Sequence, residues 1–423
     1  MLLSPDRRRP RGIVSIVVAL LGVQLAVAGA ARADAPGWVG TWAASMTAAP
    51  PADLLDPGNL VVTGFNNQTI REIVHTSIGG RSIRLRFSNA FGSGSLSMGK
   101  VTVGIAGSGA ELASAPVPVT FHGARATVIP KGGEAVSDPI PFSLAAGTSL
   151  AISIFTPTAT GPTTNHGLAD QINYFSGTGD FTGDTGASAY SQSDGNWFFL
   201  AAVDVAASAQ SRAVVAFGDD LTDGFGADFN ANNRWTDDLA ARLGEAGQPE
   251  GVLNAGIAGN RLLNDSPCFG RSALSRLNDD VARQSGVRAV IVHEGMNDLG
   301  YSQLPASPCF APQTTPTATQ LIIKYTQIVA ALHARGVRAI GATLTPMAGS
   351  PFWTASNEKT RQTVNTWIRS SRVFDGYVDF DMAIRNPADQ QQILPAYDFG
   401  DHLHPNAAGY QAMANAVDLH RLG

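Results

Sequence analysis

Four short stretches of this chain carry residue types able to break a covalent bond. Phe217-Gly218-Asp219-Asp220-Leu221-Thr222-Asp223-Gly224 offers carboxylates beside glycines. Asn254-Ala255-Gly256-Ile257-Ala258-Gly259-Asn260 offers glycine amides, and Glu294-Gly295-Met296-Asn297-Asp298 a side-chain amide. Asp401-His402-Leu403-His404-Pro405-Asn406 places an aspartate three residues before a histidine. A carboxylate, backbone N–H donors, an amide and a carboxylate-supported imidazole make up a nucleophile, donors for a developing oxyanion, a base and a group that orients the base. A neutral imidazole needs a partner on its second nitrogen to fix the tautomer and to stabilise the imidazolium. Pro405 suits the first turn of a helix, where its ring pre-sets φ. Asp401, His402 and His404 also contain metal-ligand types, but no second ligand group of matching type exists elsewhere, so no metal is expected. No cofactor is expected either.

These stretches must be positioned by what precedes them. From residue 212 onward the chain alternates strand and helix. Short apolar strands are expected at Ala213–Phe217, Gly251–Ala255, Arg288–Val292, Arg338–Thr343 and Tyr377–Phe380. Helices are expected at Arg234–Leu243, Ser272–Arg283, Thr317–Arg335, Ala355–Ser371 and Ala407–Leu419. Such alternation implies βαβ units and a mainly parallel sheet, whose ligands bind beyond the carboxyl ends of the strands. Three of the four stretches directly follow a strand, and the fourth precedes the last helix. Residues 36–206 differ. Ser82–Phe87 and Lys100–Ile105 alternate polar and apolar with period two, further short apolar runs follow, and Gly, Pro, Asn, Asp and Ser punctuate them. This predicts an all-β sandwich or jelly roll over 36–206, joined near Ala206–Arg212 to an α/β domain over 212–423.

In order and spacing, the four stretches resemble the motif blocks of the SGNH or GDSL hydrolase superfamily. Gly40-Thr41-Trp42-Ala43-Ala44-Ser45 and Arg84-Leu85-Arg86-Phe87-Ser88-Asn89 resemble the β-domain that precedes this hydrolase in some secreted bacterial members. The resemblance implies a three-layer, flavodoxin-like hydrolase domain. It also implies roles: Gly259 gives a backbone N–H to the oxyanion, Asn297 gives its side-chain N–H, His404 is the base and Asp401 orients it. One block departs from the family, which has serine where this chain has Asp220. A carboxylate attacking an ester would form a high-energy anhydride, so serine-type ester hydrolysis is not expected of Asp220.

Three readings follow. Asp220 is a nucleophile at a saturated carbon, such as the anomeric carbon of a glycoside (a furanoside among them) or an epoxide carbon. Alternatively the chain is an altered form of a carboxylic-ester hydrolase of the esterase or lipase type, or a catalytically inactive binding module. The first gives every retained group a role. The intermediate is an ester of Asp220, His404 activates the water that hydrolyses it, and Gly259 and Asn297 stabilise the oxyanion.

Other polar residues are read more plainly. Asp219 and Asp223 are expected as cap or turn residues and Asp298 as a bonder of loop backbone; Glu294 is either a buried hydrogen-bonder or a polar wall. His402 is expected to be exposed. His75, His122, His166, His293, His333 and His420 stand singly, without ligand-like spacing, and none is expected to bind a metal. Trp38, Trp42 and Trp197 are expected in the core, with sugar binding as the alternative, and Phe352 and Trp353 as an apolar wall.

Of the 423 residues, 44% are hydrophobic and 15% charged, with net charge −5 and only two cysteines. The pI near 5.9 argues against a nucleic-acid partner. Arg7, Arg8, Arg9 and Arg11, the apolar run Ile13–Val27 and Ala31-Arg32-Ala33 read as a signal peptide over 1–33, the run being shorter than the ~20 residues of a membrane span. A secreted monomer with no membrane insertion, acting on a small-molecule or carbohydrate substrate, is the expectation. Export allows a Cys268–Cys309 disulfide, which would stiffen the mouth of the site if both loops reach it.

Overall fold

The computed structural model describes residues 37–422 apart from 56, 57 and 249. The expected signal peptide lies outside the described residues.

Residues 38–206 form antiparallel sheets. One contains, in spatial order, Trp38–Ala43, Leu200–Ala206, Gly80–Ser88 and Ile140–Leu144, with Glu134–Val136 also paired to Gly80–Ser88. A second runs Gln192–Asp194, Asn173–Thr178, Gln68–His75, Ser149–Thr156, Lys100–Ile105 and Val117–Pro118. The period-two pattern has the expected consequence. Ile83, Leu85, Phe87, Val203 and Val205 of the first sheet share a core with Ile70, Val101, Val103, Leu150, Ile152 and Ile154 of the second. Trp42 and Trp197 lie in this core with their rings edge to face at 5.0 Å.

The α/β region is built on β1 (Arg212–Gly218), β2 (Glu250–Gly256), β3 (Val287–His293), β4 (Arg338–Ala342) and β5 (Gly376–Val378). All pairings are parallel and the order is 2-1-3-4-5, the flavodoxin-like arrangement. Between them and after them come α1 (Asp220–Asp223), α2 (Trp235–Glu245), α3 (Ala273–Leu277), α4 (Met296–Gly300), α5 (Ala318–His333), α6 (Ala355–Ser370), α7 (Phe380–Ile384) and α8 (Ala407–Asn415). Period-two alternation along β1 divides the helices into two layers. Val214 and Ala216 pack with Trp235, Leu239, Tyr410 and Met413, whereas Val215 and Phe217 face Leu277, Tyr325 and Ile328.

Two helices differ from expectation. The Ser272–Arg283 segment is α-helical only to Leu277, then widens into a π-type turn over Asn278–Ala282. The last helix ends at Asn415 rather than Leu419, because Arg242 donates to the carbonyls of Ala414 and Val417 and so takes the place of the next turn.

The two regions meet along a continuous core. Gly40 of the first β-strand donates its N–H to the Ser285 carbonyl at 2.9 Å, and Val252 donates to Ser77 Oγ at 3.0 Å. A Cβ on Gly40 would stand 2.7 Å from Leu253, and one on Gly251 only 2.0 Å from the Gly40 carbonyl oxygen, so two glycines permit backbone-to-backbone contact here.

Candidate active site

The strand order reverses between β1 and β3, and the first three sequence stretches emerge at the carboxyl end of the sheet there. The chain after β1 turns at once into α1, capped by Asp219, whose side chain accepts from Leu221 N–H at 3.3 Å. Asp220 is therefore the first residue of a helical turn, and it is 7% exposed. Its Oδ1 accepts the Gly259 N–H at 2.5 Å. Asn297 Nδ2, from α4, donates to Oδ1 at 3.1 Å and to Oδ2 at 3.2 Å. His404 Nε2 lies 3.8 Å from Oδ2. His404 Nδ1 is 2.6 Å from Asp401 Oδ2, and Asp401 Oδ1 accepts the backbone N–H groups of Leu403 and His404. The structure thus brings Asp220, Gly259, Asn297, His404 and Asp401 into one cluster.

Burial alone would raise the Asp220 carboxyl and lower the His404 imidazole. The nearby charge of His404 and bonds from Gly259 and Asn297 instead hold Asp220 below its ordinary value. Asp220 and Asp401 together push His404 up to about 9. Asp401, also opposed by partial burial, is held down to about 2 by His404 and the two loop amides. At neutral pH the resting cluster is a carboxylate–imidazolium–carboxylate triad.

The donor loop is held from several sides. Gly259 has φ +76°, and a Cβ would strike the Phe269 ring and the Tyr301 hydroxyl, which itself donates to the Gly259 carbonyl at 2.7 Å. Asp298 accepts from Leu262 and Leu263 N–H at 2.7 and 2.9 Å, the backbone role expected of it; burial raises its carboxyl to about 6. Glu294 is fully buried, with Oε2 3.2 Å from Arg276, and burial raises it to about 8. Arg276 carries no signal in the sequence, where it looks like a helix-surface residue. Its guanidinium is buried and donates to the carbonyls of Gly218 and Ala255 and to Asn260 Oδ1, Asp280 and Glu294, so one side chain ties together the ends of β1, β2 and β3.

Cys268 and Cys309 form a disulfide with Cα atoms 5.2 Å apart. The neighbouring Phe269 and Phe310 pack against Tyr301 beside Gly259. Phe225 lies over the His404 ring at 4.5 Å between centroids. Phe352 is buried against Tyr301, whereas Trp353 is 41% exposed.

Some side-chain pairs join residues that no sequence pattern links. His166 Nε2 is 3.0 Å from Asp223 Oδ1. Asp223 is accordingly more than a turn residue, since its Oδ2 also accepts the Ala258 N–H at 2.9 Å. His333 likewise meets Asp375 at 2.8 Å, at an exposed position. His402 is exposed and pairs with Asp398. Among the described residues no cluster of three or more His, Cys, Asp or Glu is placed to hold a metal ion, and no helix is long and apolar enough to cross a membrane.

Residues 216–412 match the model of the GDSL-like Lipase/Acylhydrolase family. The C-terminal region belongs to that family. The matched segment runs from β1 into α8 and includes every residue of the cluster. No curated protein matches the chain. Solved structures similar to about half of this chain include the inhibitor-bound aryl esterase of M. smegmatis, at 20% identity over 50% of this chain and 100% of that one, with TM-score 0.38. A GDSL-like lipase from Bacteroides thetaiotaomicron VPI-5482 aligns at 18% identity over 48% and 84%, TM-score 0.35. The lipase/acylhydrolase from Enterococcus faecalis aligns at 17% over 48% and 92%, TM-score 0.36.

Proposed function

We propose that this GDSL-like protein is a hydrolase in which Asp220 attacks a saturated carbon, that of a glycosidic bond, and is released from the resulting ester by water. One observation carries the reading: the Asp220 carboxylate rests on the two donors that serve an oxyanion, with an imidazolium beside its other oxygen. While Asp220 occupies Gly259 N–H and Asn297 Nδ2, a substrate ester carbonyl has no access to them, which disfavours ordinary acyl transfer. The same placement suits an Asp220 ester, whose own carbonyl oxygen is already seated.

In the first step Asp220 Oδ2 forms a bond to the anomeric carbon. The bond from that carbon to the leaving oxygen breaks with its electron pair, and His404 gives that oxygen the Nε2 proton. Alkylation removes the negative charge beside His404, so the imidazole becomes a base suited to neutral pH. In the second step His404 takes a proton from water and hydroxide adds to the Asp220 carboxyl carbon. The oxyanion is held by Gly259 and Asn297. Collapse expels the sugar oxygen, which takes the proton from His404. The carboxylic acid left behind then protonates His404, restoring the ion pair. The signal-peptide pattern of residues 1–33 supports export of the protein to act on such a substrate outside the cell.

Aryl glycosides, furanosides included, test this. A single turnover in 18O-water is expected to leave the label in the Asp220 carboxyl, and trapping with a slow substrate to leave a glycosyl adduct on the Asp220 peptide. Label found only in the sugar places water attack at carbon instead. No adduct and no turnover across the panel, combined with aryl-ester hydrolysis by Asp220→Ser, would favour the altered-esterase reading.

A further inference from the structure

The GDSL-like cluster is complete within residues 216–412, yet the β-region reaches it through one buried side chain. We propose that His166 is a positioning residue: it fixes Asp223 as the strut that sets the Gly259 donor loop against the Asp220 turn. The inference rests on the proposed chemistry for its kinetic consequence but not for its geometry.

His166 ends the strand Thr164–His166 and is 3% exposed. Its Nδ1 is 2.8 Å from the Ser45 carbonyl oxygen and its Nε2 is 3.0 Å from Asp223 Oδ1. A carbonyl and a carboxylate both only accept, so both ring nitrogens carry protons and the ring is a cation. Trp197 packs beside it with ring centroids 5.5 Å apart. Asp223 is the last residue of the turn that Asp220 begins, and its N–H donates to the Asp219 carbonyl at 2.9 Å. Its second oxygen holds Ala258 N–H, one peptide before the Gly259 N–H that donates to Asp220. One carboxylate therefore joins the nucleophile turn to the donor loop, and a cation from the other region of the molecule holds that carboxylate in place.

The need for the cation follows from the surroundings. Asp219 and Asp220 lie on the same turn, and burial with the neighbouring charges raises Asp219 well above its ordinary value. A third carboxylate in this turn, deprived of its His166 partner, would be left buried with an unbonded oxygen and would swing toward Arg234. That change weakens its hold on Ala258 and loosens Gly259. The packing is tight enough to transmit the shift: a Cβ on Gly256 would stand 2.1 Å from Asp223 N. A cavity of about 270 Å³, lined by His166, Asp223, Trp42, Trp197 and Arg234, borders the pair and gives Asp223 room to move once released.

The test is His166→Gln in the full chain, with Asp223→Asn as a second variant because an isosteric amide keeps an acceptor for Ala258. In 15N-glycine-labelled protein the Gly259 amide proton, shifted downfield by its bond to Asp220, is expected to move upfield in His166→Gln and less in Asp223→Asn. Hydrolysis of the Asp220 ester is expected to slow by about 10- to 100-fold, with KM little changed, since a displacement of the order of 1 Å has that effect. A Trp42→Phe variant controls for general loosening of the seam and is expected to leave the Gly259 resonance in place. An unmoved Gly259 amide in His166→Gln overturns the proposal whatever reaction the enzyme performs. A moved amide in a protein that forms no Asp220 adduct upholds the positioning and overturns the reaction.

Discussion

Two regions of the molecule hold a histidine between oxygen acceptors, and they are built differently. At the seam, His166 has both nitrogens within hydrogen-bonding distance, 2.8 and 3.0 Å, and is almost sealed from solvent. At the carboxyl end of the parallel sheet, His404 is bonded tightly on one side, 2.6 Å to Asp401, and stands 3.8 Å from Asp220 on the other. The first arrangement is closed: every proton has a fixed recipient. The second has slack on the nitrogen that faces Asp220, which on the proposed mechanism leaves a lone-pair direction on Asp220 and a proton on His404 to engage a substrate.

The largest expected effect comes from the slack side. Asp220→Asn keeps the shape and the acceptor for Gly259 but removes the charge, and is expected to lower glycoside turnover by at least about 10⁴-fold, measured as kcat/KM on an aryl glycoside. Turnover comparable to the unaltered chain would mean that Asp220 only fills space and that the two histidine sites are both structural.

The pH dependence of stability gives a smaller, signed difference. His404 is raised from its ordinary 6.5 to about 9, so its contribution is complete below about 6.5 and is lost as pH rises through 9. The loss is expected to be on the order of 3 kcal/mol, seen in urea midpoints between about pH 6.5 and 9.5 and absent in His404→Gln. Asp401, depressed from 3.8 to about 2, contributes above its ordinary value and loses that contribution as pH falls toward 2. A flat profile on the alkaline side would show that His404 is not held charged by its two neighbours.

The smallest effect is expected at a third pair. His402 Nδ1 lies 2.6 Å from Asp398, but its side chain is 55% exposed. Solvent screens such a pair, so His402→Asn is expected to change stability by less than about 0.5 kcal/mol and turnover hardly at all. Asparagine tolerates the positive φ of +65° found there. A larger loss would mean that this loop, two residues from His404, contributes to holding it.

Much of this was legible in the chain because the signals were local. Val214–Phe217 and Ala289–Val292 are unbroken apolar runs that only a fully buried strand explains, and the period-two segment Ser82–Phe87 fixes which side chains meet the sandwich core. Asp401 and His404 share one loop, and their bond follows from a spacing of three. What escaped was contact between residues distant in sequence. His166 lies 57 residues from Asp223 and belongs to a different compositional regime, with no pattern linking the two. Arg276 sits in a segment that reads as an ordinary surface helix, and only the packing of three strand ends against it shows that the charge is inside. Asp220 was visible at once as a departure from its family. Its resting place on the oxyanion donors was not, because that depends on where the loop after β2 returns.

The glycine pair at the seam bears on how such a protein can be recombined. Gly251 lets its backbone touch that of Gly40, and a side chain at Gly251 would force the layers apart. The GDSL-like region is therefore not an interchangeable cassette: excised near residue 212, it would present the apolar flank around Leu253 to water, and grafted behind a foreign β-module it would need a matching glycine opposite Gly251.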